Sequence, residues 1–203
     1  MDGSFATGAA LSIADLRPAI DRILDFQTEK GAIAWFENGP WDPWNHTESA
    51  MALTVAGELD SAARAFDYLQ ETQRKDGAWF GEYGNCLPMV ARAYPAVGIA
   101  HFFKATNDKT RTKAWWPMVE RALDFVLTLQ KPDGTISWTA EAVGTDEDDA
   151  LLAGNASILK SLECGLFLSD AFGIAKPNWH LARTNLLSAL QNTPERFYRR
   201  QTG

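Results

Sequence analysis

This chain of 203 residues has no run approaching the roughly 20 consecutive apolar residues that a membrane-spanning helix needs. Residues 1–10 have neither the basic start nor the apolar centre of a secretory signal, so the expected compartment is the cytoplasm. Cysteine is scarce: Cys86 and Cys164 lie far apart, and Cys164, inside an apolar helical pattern, reads as a small buried hydrophobe. Three histidines and two cysteines form no cluster with metal-ligand spacing, so no metal or other cofactor is expected. Glycine-rich phosphate loops and nucleophile-elbow serines are missing too. Basic residues are scattered, and with a net charge of −7 and a pI near 5.0 they supply no nucleic-acid footprint. They also supply no Arg/Lys cluster for a diphosphate.

What the chain has is tryptophan, eight in all, arranged in a repeat. Three times a helical stretch ends in glutamine, followed by a few polar residues, a glycine and a tryptophan: Gln27–Gly31–Trp35, Gln73–Gly77–Trp79 and Gln130–Gly134–Trp138. Ile23-Leu24-Asp25-Phe26, Ala65-Phe66-Asp67-Tyr68 and Ala122-Leu123-Asp124-Phe125 precede these copies, and a small-residue apolar helix follows each. Two-helix periods of about 45 to 57 residues predict stacked α-hairpins, hence an all-α fold, a partial α/α toroid of about three and a half hairpins. The expected organisation is a flexible N-terminus over 1–10, a repeat domain over 11–195 and a C-terminal tail over 196–203.

The helical spacing of Ile13, Leu16, Ile20, Ile23 and Leu24 predicts an amphipathic helix over 11–27 with Ser12 or Asp15 as cap. Pro95 is expected to kink the second inner helix, and an inner helix is expected from about Ala150 to Phe172. Because a ring of this kind closes with six hairpins, an open edge is expected. Two alternatives stand: a missing C-terminal half, or a partner such as a second copy.

In a toroid the loops that enter the inner helices gather at one end, which makes their contents the candidate site. Loop one holds Trp35, Trp41, Asp42, Trp44, Asn45, His46 and Glu48; loop two holds Trp79, Glu82, Tyr83 and Asn85. Loop three holds Trp138, Glu141 and Asp146-Glu147-Asp148-Asp149, with Asn155 just beyond. Aromatic faces among carboxylates suit either carbocation stabilisation or sugar stacking. In a crowded acidic run one carboxyl should stay protonated as a general acid. Each residue also has a plainer reading. Asp42 is a helix cap, Glu48 complements the helix dipole, His46 is merely hydrogen-bonded, and Asp146–Asp149 is a solvated cap. Trp35, Trp79 and Trp138 pack loops against helices, while His101 sits satisfied in the core and His180 on the surface.

The element Gln73-Arg74-Lys75-Asp76-Gly77-Ala78-Trp79 resembles the QW repeat of squalene-hopene-type terpenoid cyclases, and Asp146-Glu147-Asp148-Asp149 resembles their Asp-x-Asp-Asp acid motif. That resemblance implies Asp148 as the proton donor. The blocks Asp42–Leu53 and Ala150–Ile158 look like those of actinobacterial proteins grouped as prenyltransferases, which implies an isoprenoid or similarly bulky small molecule in a Trp-lined cavity. On these expectations Asp148 or Asp149 is the acid, Asp42, His46 and Glu48 make polar contacts, and Trp35, Trp44, Asn45, Trp79, Tyr83, Trp138 and Asn155 line the ligand. The same pattern is similar to six-hairpin glycosidases of the glucoamylase type, which implies a sugar substrate with Glu141 as acid and Asp42 or Glu48 as base. A non-catalytic helical scaffold is the third expectation.

Overall fold

The computed structural model describes residues 12–80, 93–137 and 150–198. Tyr83, Trp138, Glu141, Asp148 and Asp149 lie outside them, as do Glu82, Asn85 and the rest of the acidic run. Within the described residues seven α-helices alternate between two layers. The outer helices are α1 (Ile13–Phe26), α3 (Leu59–Thr72), α5 (Lys109–Leu127) and α7 (Pro177–Asn192). The inner helices are α2 (Pro43–Val55), α4 (Pro95–Thr106) and α6 (Leu152–Phe172). α2 packs on α4 and α4 on α6, so the inner layer is continuous; each inner helix also packs on its outer neighbours. This is a partial α/α toroid of three and a half hairpins. A short parallel pair, β1 (Ala150–Leu151) with β2 (Phe197–Tyr198), ties the chain end to the start of α6, a feature without a sequence signal.

Local chemistry sets the helix ends. Ser12 and Asp15 form a reciprocal capping box on α1, and Asp42 caps α2 with Pro43 in the first helical position. Asp108 caps α5 through Arg111 N–H. Pro95 does not kink α4 but opens it, because a first-turn proline forfeits no helical hydrogen bond. Asn107 and Gly173, both at positive φ, stop α4 and α6. The inner helices approach their neighbours closely through small residues. A Cβ at Gly98 would press on the Phe66 ring and the Thr47 methyl, and one at Gly165 would press on Leu123 and Trp179.

The glutamine repeat is a stitch between successive outer helices. Gln27 Nε2 donates to the carbonyls of Gly31 and Ser61, Gln73 Nε2 to those of Gly77 and Met118, and Gln130 Nε2 to those of Gly134 and Ala182. The second acceptor is each time on the next outer helix. Arg64 donates to Gln27 Oε1 and Arg121 to Gln73 Oε1. The glycine of each copy has positive φ (98°, 94° and 88°) and lies against the backbone of that next helix. An added Cβ would strike the carbonyl of Arg64, Arg121 or Asn185 respectively. Only glycine meets both conditions.

These contacts correct the register expected from sequence. Ile33 and Ile136, each bridged to its glutamine, hold the place that Trp79 holds in copy two. Trp35 and Trp138 are therefore two residues off the repeat. Likewise Asp21, not Asp25, matches Asp67 and Asp124. The tryptophans that recur structurally are Trp115 and Trp179, both buried on outer helices, whose indole N–H groups donate to Asp67 and Asp124. Cys164 is buried as expected, and burial raises its thiol pKa. His101 departs from expectation: it is half-buried on α4, and its Nδ1 is buried without a hydrogen-bond partner.

Candidate functional site at the loop end of the inner helices

Loop one enters α2 through Asp42, which is buried and extended at φ −144°. Its carboxylate accepts four hydrogen bonds. Oδ1 takes the backbone N–H groups of Trp44 (2.8 Å) and Asn45 (3.1 Å), while Oδ2 takes Trp35 Nε1 (2.5 Å) and Asn45 Nδ2 (2.7 Å). Asp42 thus fixes both the helix start and the directions of the Trp35 and Asn45 side chains.

One turn further on, exposed Glu48 accepts Trp44 Nε1 at 2.8 Å and the Tyr94 hydroxyl at 3.5 Å, both on Oε1. Its second oxygen has no partner among the described residues. Trp44 and Tyr94 stack face to face across α2 and the entry to α4, with centroids 4.4 Å apart and planes 3° from parallel. Partial burial and the negative charge of Glu48 both raise the Tyr94 pKa, keeping the hydroxyl a donor at neutral pH. The result is an aromatic platform with a carboxylate at its edge.

His46 and Asn155 occupy matching places in different hairpins. His46 is completely buried; its Nδ1 accepts Ile33 N–H (3.1 Å) and its Nε2 lies 2.8 Å from the Ala65 carbonyl. Burial outweighs those contacts and Asp42, and lowers the His46 pKa to about 4. The ring is therefore neutral at physiological pH, with the proton on Nε2. Asn155, also buried, takes Ile136 N–H on Oδ1 and returns Nδ2 to the carbonyls of Ile136 and Leu151. Both side chains pin the loop that follows a glutamine stitch onto the next inner helix. Trp79 is buried and donates to the Leu69 carbonyl, closing loop two onto α3. Trp35, by contrast, is 43% exposed.

The structure thus brings Trp35, Asp42, Trp44, Asn45 and Glu48 together, whereas His46, Trp79 and Asn155 are buried, the last two held by partners outside loop one. Tyr94 was missed from sequence. Its signal was its position just before Pro95, where the chain enters an inner helix. A groove of about 560 Å³ adjoins the cluster between α1 and α2, lined by Ala19, Arg22, Ile23, Phe26, Ile33, Ala34, Trp35, Asn45, Glu48 and Ser49. Among the described residues no group of three or more His, Cys, Asp or Glu could hold a metal ion. No described helix is long and apolar enough to cross a membrane.

Residues 46–161 match the model of the squalene-hopene cyclase C-terminal domain. The chain belongs to that family. It is also 42% identical over 187 residues to the MMP endo-(1,4)-3-O-methyl-alpha-D-mannosidase of Mycolicibacterium hassiacum, a match covering 89% of this chain and 52% of that protein. The chain therefore spans about half the length of this relative. Among solved structures, a glycoside hydrolase of family 105 from C. acetobutylicum superposes with a TM-score of 0.69 at 12% identity, covering 89% of this chain and 56% of that one. A rhamnosidase from Klebsiella oxytoca, solved with rhamnose bound, superposes with a TM-score of 0.61 at 14% identity, covering 86% and 38%. At such identities these structures carry the fold alone. The family match agrees with the terpenoid-cyclase resemblance of the Gln73–Trp79 element.

Proposed function

We propose that this chain is the site-bearing part of a glycoside-hydrolysing toroid whose substrate is an α-linked, O-methylated mannosyl chain. The observation that carries the reading is the Trp44–Tyr94 platform with beside it the Glu48 carboxylate, whose second oxygen has no partner among the described residues. A stacked aromatic pair offers an apolar face to the C–H side of a pyranose ring, and the carboxylate at its edge reaches a hydroxyl or the glycosidic oxygen. The 42% identity to a mannosidase supports the choice of sugar.

Glu48 is the acid or base in this proposal. Asn45 contacts substrate, Asp42 positions Trp35, Trp44 and Asn45, and His46 and Asn155 hold the loops. Glycoside hydrolysis needs a second carboxylate, about 6.5–9.5 Å away for inversion or about 5–5.5 Å for retention. Glu141, Asp148 and Asp149, which lie outside the described residues, are the candidates that the sequence offers. The membership of the cyclase family supports a second reading, in which Asp148 protonates an isoprenoid.

The test is hydrolysis of α-1,4-linked 3-O-methylmannose oligosaccharides by the wild-type chain, Glu48→Gln and Asp148→Asn. Glu48→Gln should lose at least a hundredfold in rate and keep its melting temperature, because the side chain is exposed. Undiminished hydrolysis would refute the assignment. Turnover of a polyprenyl substrate instead, lost in Asp148→Asn, would establish the second reading.

A further inference from the structure

From the groove between α1 and α2 we infer a subsite for an apolar methyl-ether substituent of a sugar, next to the ring stacked on Trp44 and Tyr94. The inference rests on the carbohydrate reading above and assigns a second part of the site to particular residues. The groove adjoins the platform through Glu48, which edges both, and through Trp35 and Asn45, which Asp42 holds beside Trp44. Its volume of about 560 Å³ falls within the range of small-molecule sites. Its chemistry is two-sided. Ala19, Ile23, Ile33 and Ala34 make an apolar floor between Phe26 and Trp35, whereas Arg22, Asn45, Glu48 and Ser49 supply polar groups. The Arg22 guanidinium stacks on Phe26 at 4.3 Å and makes no ion pair among the described residues, leaving its donors for hydroxyls. An unsubstituted sugar ring would leave that floor wet. A methyl ether covers it while the remaining hydroxyls meet the polar groups.

The repeat shows that this groove is a departure from the pattern, not a feature of every hairpin. Counting back from the glutamines, Ala19 and Ile23 correspond to Ala65 and Leu69 on α3 and to Ala122 and Val126 on α5. Those four are completely buried, the alanines beneath the preceding hairpin's glycine turn. On α1, among the described residues, Ala19 is exposed and Ile23 only half-buried. A packed helical hairpin is therefore the competing occupant, and the test includes it.

The experiment uses the intact chain and three probes: methyl 3-O-methyl-α-D-mannopyranoside, methyl α-D-mannopyranoside and, for the covered face, the sedimentation mass of the protein. Dissociation constants for both sugars are read by ligand-observed NMR on the wild type and on Ala19→Phe, a substitution at an exposed position that fills the groove and leaves Trp44, Tyr94 and Glu48 untouched. The methyl ether should improve binding about fourfold, the factor that one buried methyl group at ~0.8 kcal/mol gives. Ala19→Phe should erase that preference without weakening the unmethylated sugar. Equal binding of the two sugars, or a preference that survives Ala19→Phe, overturns the subsite and leaves the platform standing. No binding of either sugar overturns the subsite and the carbohydrate reading together. A dimer that Ala19→Phe dissociates also overturns the subsite, because the groove is then covered by protein.

Discussion

Lowering the pH should unfold this chain through His46. The ring is fully buried, takes Ile33 N–H on Nδ1 and gives its Nε2 proton to the Ala65 carbonyl. Protonating Nδ1 would set two N–H groups against each other in a dry site. The folded pKa near 4 lies below the ordinary 6.5, so the folded state binds the proton later than the unfolded chain does. The stabilisation is fully present above pH 6.5 and is lost as pH falls towards 4, at about 1.36 kcal/mol per unit. Over that window the loss reaches about 3 kcal/mol, a large share of the stability of a domain this size. Asn155 shows what a non-titrating residue in the matching place does, since its Oδ1 accepts the equivalent Ile136 N–H. His46→Asn should therefore cost about 1–2 kcal/mol at pH 7, for the lost bond to Ala65, yet flatten the fall between pH 6.5 and 4. Urea unfolding of both proteins across that range measures the two slopes. Parallel slopes would refute the reasoning, because the pH dependence would then arise elsewhere.

Further outcomes follow from the stitches and the loop pins. Gly77→Ala should cost about 3 kcal/mol or more, combining positive-φ strain of about 1–2 kcal/mol with a Cβ driven onto the Arg121 carbonyl. Gly57→Ala, also at positive φ but with nothing near its Cβ, should cost only the strain; equal losses by thermal melting would contradict the packing argument. Gln73→Ala should cost about 1–2 kcal/mol, because it removes the side-chain bonds to the Met118 and Gly77 carbonyls and frees Arg121; hydrogen exchange should quicken at the loop-two end of α3. Asn155→Leu should be destabilising by ~2–3 kcal/mol through the orphaned Ile136 N–H and C=O, and calorimetry that finds it neutral would remove the pinning role.

The hairpin architecture was legible because it rests on period. Glutamine and glycine recur at fixed spacing, and both are irreplaceable for reasons of backbone geometry. The tryptophans misled for the opposite reason. Trp35 and Trp79 look alike in sequence, but one is two residues out of register and exposed while the other is sealed against Leu69. Asp42 could be read as a cap, and it is one, but its second oxygen also aims Trp35 and Asn45. No local pattern separates those duties. His46 was equally open between chemistry and packing, and only its burial and two backbone partners distinguish them. Tyr94 was invisible because its role depends on Trp44 and Glu48, 50 and 46 residues away in the chain.

The most direct test of the central claim, that sugar binds at the Trp44–Tyr94 platform, is indole N–H NMR of the intact protein titrated with a 3-O-methylmannose oligosaccharide. Assigned by single substitution, the Trp44 signal should shift with saturation, and Trp115 and Trp179, buried on outer helices, should stay still. A titration in which Trp44 does not move, or moves no more than those two, would contradict the account.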